Sequence, residues 1–568
     1  MAHKTVIIGG SAAGAAAAAR LRRLSEQEEI VILEKGKDIS YASCGLAYYL
    51  GGEVPLRQNL VIIPPRVFSE RYRAQVKTEC EAISVSPDKK VVAVLNHQTG
   101  ETLEEKYDSL IIASGAAAVR PEQISGISLP HIYNLRTLPD VDSIHEEIPS
   151  ITSDDHFYDV LIVGGGFIGI EAAENLSHKG FRVTLVELRG QLLQNLDGEF
   201  SGLLERNLRR HAINVRVGVG VRSFTLTPDD FIETEFTDDS RKQKFRFVVL
   251  ALGVKPATGF LEGSGIEKAP NGAVITNCRM ETNIPGVYAA GDNAVILKNY
   301  SDELTWSPLA GPAARGGRRA ADSIARSLGI LPRNSAEFTG TSGSAIIRVF
   351  DETYAFSGAS ENELRQKGLV AGKDYFTSFV IQSSHVNWYP GSRLIFIRGI
   401  FDKKRGTLIG AEACGRAGVS DAINTLATVI ALRGTFSDLA NIDLAYSPQY
   451  GSAKSNINML GFTAENQVLG LGEYISLTAY LTLDKKDYFV LDVRNREELF
   501  KYRIPEAVNI PLAQLRDRMN EIPKDKPVIV ICGMGVRAWN AAGILRCNGY
   551  HSIVLEGGAT LHALLKGK

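Results

Sequence analysis

The chain has 568 residues, 63 Lys and Arg against 64 Asp and Glu, and a formal net charge of −1. That balance, without a long basic run, gives nucleic acid no electrostatic footprint, and no apolar run reaches the roughly 18 residues that cross a bilayer. The length implies three or four domains, and six scattered cysteines without metal-like spacing imply no metal site and a reducing, cytoplasmic setting.

The first element is an apolar strand that starts at about Thr5, too early for a secretory leader to precede it, and enters VIIGGSAAG at 6–14. Gly9 and Gly14 keep the turn that lets a backbone approach a pyrophosphate at a helix N-terminus, with Ser11 and Ala12 between them. The next strand, IVILEK, brings Glu34 and then Lys35 about twenty residues beyond Gly14, where an acid takes the adenosine ribose hydroxyls. One cysteine, Cys44, follows shortly after. The first unit runs to a buried strand and small-residue turn in IIASG at 111–115, and a Pro-rich, acidic connection spans 120–156. The second fingerprint, LIVGGGFIG at 161–169, is complete in Gly164, Gly166 and Gly169, with Ile168 beside the last, and VTLVEL supplies its acid, Glu187. Two fingerprints, each with its acid, predict two bound dinucleotides and the passage of electrons between them.

After residue 273, GVYAAGDNA returns to the style of the first unit, so one domain is interrupted by another. We expect a first nucleotide-binding domain over 1–149 and 274–332 and a second over 150–273. Alternating strands and an apolar helix predict an α+β unit over 333–462. The stretch ENQVLGLGEYIS reads as a linker, 463–474, before a small α/β domain over 475–568. The fold class is α/β, with two Rossmann-like domains, an α+β domain and a C-terminal α/β domain.

Residues 1–462 resemble the single-cysteine branch of the flavin disulfide reductases, specifically coenzyme A disulfide reductase, and residues 470–568 resemble a rhodanese domain. The whole is similar to coenzyme A disulfide reductase–rhodanese fusions, also described as NADH-dependent persulfide reductases. SYASCG at 40–45 is close to the family's S-F-x-x-C-G, which implies that Cys44, flanked by Ser43, lies against the flavin of FAD and cycles between thiolate and a sulfur-bonded form. IIASG matches the family's A-T-G turn, giving Ala113 and Gly115. AAGDNA at 289–294 implies Asp292 at the ribityl chain, and Ala310 opens the helix that follows. GFIGIE and the late turn ALGVKP, with Gly253, complete the NADH site. Glu187 favours NADH, while Arg189 keeps NADPH open.

For coenzyme A, the resemblance implies Ser40, Arg20 and Arg23 on the first helix, and tyrosines donated across a homodimer. AYSPQYGSAKSNINMLG at 445–461 resembles Y-A-P-P-Y-x-x-A-K-D-P-V-N and points to Tyr446 and Lys454. HVNWYPG at 385–391 resembles H-A-x-Y-Y-P-G, with Trp388 for the first tyrosine and Tyr389 kept. In the last domain CGMGVR at 532–537 matches C-x-x-G-x-R, implying a persulfide on Cys532 cradled by backbone N–H groups, with positive charge from Arg537. Cys80, Cys278, Cys414 and Cys547 read as packing residues. The expected activity is NAD(P)H-driven reduction of coenzyme A persulfide, coenzyme A disulfide or polysulfide. The rivals are an NADH oxidase or peroxidase, which would have a histidine where Ala12 stands, and a redox-sensing flavoprotein with a non-catalytic rhodanese module.

Overall fold

The computed structural model describes residues 2–148, 159–332, 334–335 and 337–566. The chain forms two compact units, Met1–Leu188 with Gly218–Gly343, and Arg189–Val217 with Ser344–Lys568. Among the described residues no helix is long and apolar enough to cross a membrane.

In the first unit Val287–Ala289, Ser109–Ile112, Lys4–Ile8, Glu29–Leu33 and Gln75–Lys77 lie side by side in that order, all parallel. A parallel sheet covered on both faces needs strands that are apolar throughout rather than alternating, and Val6, Ile7, Ile32, Leu110 and Ile111 are all buried. A second parallel sheet carries Arg182–Glu187, Asp159–Val163, Phe247–Leu250 and Ile132–Asn134 in that order. Its last strand lies within 120–156. That stretch is therefore more than a connection: it supplies an edge strand and then the helix Leu138–Glu147, whose N-cap Thr137 accepts from the Asp140 N–H at 3.3 Å. The boundary expected at 149/150 falls earlier in the chain as a result.

In the second unit an antiparallel sheet runs in the order Ala345–Val349, Glu352–Gly358, Leu408–Gly415, Leu394–Asp402, Tyr375–Ser383. The C-terminal parallel sheet runs Glu473–Ile475, Ser552–Leu555, Val528–Ile531, Phe489–Asp492, Val508–Asn509. The expected linker is largely regular, because the helix Asn456–Val468 runs through its first half and the strand Glu473–Ile475 begins in it. Buried Leu460 and Ala464 continue that helix's packed face. It ends where Gly470, at φ 68°, donates back to the Gln467 carbonyl.

Residues 189–217, expected in the second nucleotide-binding domain, fall in the second unit, where Asp197 and Glu199 enter a buried ionic cluster. Arg398, 1% exposed, faces Glu199 at 3.2 Å, Asp197 and Glu412 at 3.8 Å and Glu361 at 3.9 Å. Glu199 also accepts from the Thr478 N–H at 3.1 Å and from its hydroxyl at 2.7 Å. Burial alone would raise the Glu199 carboxyl, but Arg398 and the bonds from Thr478 outweigh it and hold it at about 2. One guanidinium cannot neutralise every neighbouring acid in a low dielectric. Burial pushes Asp197 and Glu412 up, and Glu556 is pushed up to about 8.

Glu556 thus keeps a proton in the folded chain that the unfolded chain releases near pH ~4.3. Stability falls as pH rises from there through about 8, by up to about 1.4 kcal/mol per pH unit. Asp197 and Glu412 act with the same sign. Glu556→Gln should therefore give a shallower decline of Tm between pH 6 and 8.5, read by thermal denaturation of the full chain. An unchanged slope would show that Glu556 is ionised in the fold.

Candidate active site

Both fingerprints are built on backbone contacts too close for a side chain. A Cβ on Gly9, at φ 100°, would stand 2.2 Å from the Ala113 carbonyl oxygen, and one on Gly14 1.8 Å from the Gly9 oxygen. In the second copy Gly164, at φ 115°, meets the Ala251 oxygen at 2.2 Å, and Gly169 meets the Gly164 oxygen at 1.9 Å. The helices Ala12–Leu24 and Phe167–His178 therefore start directly against the strand ends, which brings the positive end of each helix to its turn. On the open side, nothing lies within 4 Å of a Cβ at Gly166, Gly115 or Gly253. The acids are held alike. Glu34 accepts from the N–H groups of Gly10 at 2.8 Å and Gly36 at 2.9 Å, and Glu187 accepts from Gly165 at 2.7 Å. Burial pushes the Glu34 carboxyl up and these N–H bonds pull it back. Ser11 caps its helix without a side-chain bond to it. Ala310 opens the helix Ala310–Ser327, in which a Cβ on Gly317 would stand 2.0 Å from the Ala13 oxygen. Tight turns, open faces and fixed acids fit an adenine dinucleotide at each fold. Lys35, largely exposed, pairs with Glu81 at 2.7 Å.

Cys44 is exposed in the short 3₁₀ turn Ser43–Gly45, which leads into the helix Leu46–Gly51. Its segment is tied at both ends. Ser40, in the left-handed region at φ 48°, donates its N–H to the Gly10 carbonyl at 2.9 Å. Such a backbone state costs a non-glycine residue of order 1 kcal/mol and persists only where its surroundings impose it. One turn beyond Cys44, the Tyr48 hydroxyl donates to Glu171 at 2.9 Å, on the helix of the second fingerprint. Burial raises both groups. A Cβ on Gly51 would stand 1.9 Å from the Asn175 side-chain oxygen, so the cysteine helix lies hard against that helix.

Three residues that the motifs did not single out fix the turns at Asp292 and Gly115. Arg136 donates to the Asp292 carboxylate at 2.9 Å, and the Trp306 indole N–H donates to the Asp292 carbonyl at 2.7 Å. Burial raises the Asp292 carboxyl and Arg136 opposes it. Asn293, fully buried, accepts from the Gly115 N–H at 3.2 Å and donates to the Ile112 carbonyl at 3.0 Å. Its place next to Asp292 was the only signal available.

The two first-helix arginines part company. Arg20 is bound to Asp322 at 2.6 Å, which removes it from the pair of phosphate contacts that its spacing suggested. Arg23 is exposed and lies over the Tyr72 ring at 5.7 Å. Between them Arg22 is buried, donating to the carbonyls of Tyr72, Ser25, Glu28 and Arg73.

In the second unit Tyr446 is half-exposed, Lys454 and Trp388 are exposed, and Tyr389 meets the His385 ring edge-on at 5.8 Å. Cys532 is buried, and its sulfur accepts from the Gly535 N–H at 3.1 Å. Arg537, expected to lend Cys532 positive charge, is clamped by Glu498 at 2.6 and 2.7 Å, so its charge is largely neutralised. Of the four other cysteines, Cys80 and Cys414 are buried, whereas Cys278 donates to Glu337 at 3.3 Å and Cys547 is exposed, so neither of the last two is a core residue.

Residues 3–313 match the family model for pyridine nucleotide-disulphide oxidoreductases, 345–456 the dimerisation domain of that family and 478–561 a rhodanese-like domain. The chain belongs to the pyridine nucleotide-disulphide oxidoreductase family. It is 31% identical over 462 residues to coenzyme A disulfide reductase of Staphylococcus aureus, a match covering 81% of this chain and all of that protein. Two solved structures match it nearly end to end. Reduced Bacillus anthracis CoADR-RHD is 33% identical with a TM-score of 0.92, over 100% of this chain and 98% of that one. The NAD-dependent persulfide reductase from A. fulgidus is 31% identical with a TM-score of 0.89, over 98% and 99%. Within the family, this chain therefore falls in the branch that carries a C-terminal rhodanese domain.

Asn293→Ala removes both bonds that set the Gly115 turn; the Ile112 carbonyl keeps the Ala290 N–H at 3.0 Å, but the part-buried Gly115 N–H loses its acceptor, at a cost of about 1–3 kcal/mol. We expect a lower Tm and a lower flavin-to-protein absorbance ratio in the purified variant; retention of both would show that the turn is set elsewhere.

Proposed function

We propose that this chain is an FAD-dependent enzyme that uses NADH to reduce the sulfur–sulfur bond of coenzyme A disulfide or coenzyme A persulfide at Cys44, with polysulfide as a related acceptor and Cys532 as a carrier of sulfane sulfur. The observation that carries this reading is the setting of Cys44: an exposed thiol on a short turn, pinned by Ser40 to the first fingerprint and, through Tyr48, to the second.

When bound, FAD supplies the relay of an electron pair from NADH. The remaining work falls to side chains of the protein. The Cys44 thiolate attacks the substrate sulfur, a Cys44–sulfur bond forms and the other sulfur leaves as a thiolate. A phenol, Tyr446 or Tyr389, hydrogen-bonds that leaving thiolate. Because these tyrosines lie on the dimerisation part, a homodimer in which they serve the partner's Cys44 is the working assembly. Arg23 and Lys454 meet the coenzyme A phosphates, and Ser40 lies beside the arm. Gly9, Gly14, Ser11, Gly115 and Asp292 hold FAD, and Gly164, Gly166, Gly169 and Glu187 hold NADH. The Glu187 carboxylate, oriented by the Gly165 N–H, repels a 2′-phosphate. A reducing, cytoplasmic setting suits thiols of this kind.

Incubation of the enzyme, with Cys44 as the free thiol and no NADH present, with coenzyme A disulfide should give a coenzyme A adduct on Cys44 by non-reducing peptide mass spectrometry. Cys44→Ser should lose it together with roughly 10³-fold or more of the anaerobic turnover. An adduct confined to the other exposed thiol, Cys547, with turnover retained in Cys44→Ser, would overturn the reading.

A further inference from the structure

The loop that carries Cys532 is held from behind by the helix Gly558–Leu565. The N–H groups of Ala559 and Thr560, in the first turn of that helix, donate to the Cys532 carbonyl at 2.8 Å and the Gly533 carbonyl at 3.1 Å. The two backbones touch: a Cβ on Gly558, at φ 52°, would stand 2.3 Å from the Cys532 oxygen. In a trans peptide the carbonyl and the N–H that follows it point in opposite directions, so these bonds turn the N–H groups of Gly533 and Met534 away from the helix. The next N–H, that of Gly535, meets the Cys532 sulfur at 3.1 Å. Any rotation or slide of the helix would re-aim the peptides nearest the sulfur.

One buried side chain ties that helix down. His562 stands one turn beyond Gly558, and its Nδ1 lies 2.5 Å from the Tyr502 hydroxyl, on a segment 60 residues earlier in the chain. Burial pushes the imidazole below its usual range; Glu506 opposes this, and Lys566 and Lys485 add to it. The neutral ring accepts at Nδ1 from the phenol, the better donor of the two. The ring also stands edge-on to Tyr480, with centroids 6.2 Å apart. Tyr480 is committed elsewhere, since its hydroxyl donates to Glu506 at 2.6 Å. The polar hold on His562 is therefore the Tyr502 bond, and removing either partner leaves the other buried without it, which costs more than the bond itself contributes.

We propose that Tyr502 and His562 are positioning residues for sulfur transfer at Cys532: their bond fixes the helix that aims the Gly533 and Met534 N–H groups at the sulfur. The proposal rests on the reading of Cys532 as a sulfur carrier. In loading, the Cys532 thiolate attacks the terminal sulfur of a polysulfide; the Sγ–S bond forms and a polysulfide one sulfur shorter leaves with the electron pair of the broken bond. In discharge to cyanide, carbon attacks the outer sulfur of the anionic persulfide. The C–S bond of thiocyanate forms, the Sγ–S bond breaks and its electron pair stays on Sγ. The aimed N–H groups stabilise the negative charge that builds on Sγ as it departs.

The test uses full-length holoenzyme carrying Cys44→Ser, loaded with inorganic polysulfide, freed of excess and mixed with cyanide. Peptide mass spectrometry follows the loss of the added sulfur from the Cys532 peptide itself. We expect Tyr502→Phe and His562→Leu each to slow discharge about fivefold, and the double variant to be no slower than either, because both remove one bond. His562→Asn, whose side-chain oxygen replaces Nδ1 as acceptor, should restore the rate to within about twofold of the parent. Tyr480→Phe, which keeps the neighbouring ring and loses only the bond to Glu506, should also stay within about twofold. Thermal denaturation checks the fold; should His562→Leu fail to fold, Tyr502→Phe carries the test with its ring intact. Unchanged discharge in Tyr502→Phe, losses that multiply in the double variant, or an equal loss in Tyr480→Phe would overturn the proposal. A parent whose Cys532 peptide takes up no sulfur would instead overturn the reading of Cys532, and the proposal with it.

Discussion

Backbone packed against backbone at four glycines is the contact on which the reductase part depends. At Gly9, Gly14, Gly164 and Gly169 a methyl group would fall within about 2 Å of a carbonyl oxygen, so each fingerprint helix begins directly over the end of its strand. That brings the positive end of a helix dipole to the open side of the turn. The same closeness lets each strand-end acid reach back to the second glycine of its turn, Glu34 to Gly10 and Glu187 to Gly165. Two sites of one design follow from one packing rule applied twice.

Cys44 gains its setting from those two sites. Its segment is bonded to Gly10 through the strained Ser40 and to Glu171 through Tyr48, so the thiol is carried on a short rigid span between the two nucleotide folds. The chemistry proposed for it needs little else from its surroundings than exposure and fixed distance. In the C-terminal half the ordering is reversed: Cys532 is buried, its sulfur is held by a backbone N–H, and the Arg537 guanidinium of its loop is paired with Glu498. One sulfur is presented and the other enclosed.

The features that were legible in the sequence are those whose physical cause is local. A turn that passes too close for a Cβ demands glycine wherever it occurs, and a strand of fixed length sets the spacing to its acid. The loop at Cys532 is equally local. What escaped notice depends on long-range contact. Arg20 and Asp322 are 302 residues apart, Glu199 and Thr478 279, Arg136 and Asp292 156, and no period or motif spans such distances. Arg22 and Arg23 look alike in AARLRRLSE, yet only the packing of the helix Pro65–Tyr72 buries one and exposes the other. The Arg398 cluster takes in Asp197 and Glu199 through partners 164 to 215 residues further along the chain, Glu361, Arg398 and Glu412. The supposed linker looked irregular because of its glycines, and only Gly470 ends the helix there.

The central claim is that electrons from NADH end on sulfur. Anaerobic turnover with coenzyme A persulfide, scoring sulfide released against NADH consumed, tests it most directly. The account predicts sulfide and NAD⁺ in equal amounts in the complete absence of oxygen. NADH consumption that begins only when oxygen is admitted, with no sulfide released, would contradict it.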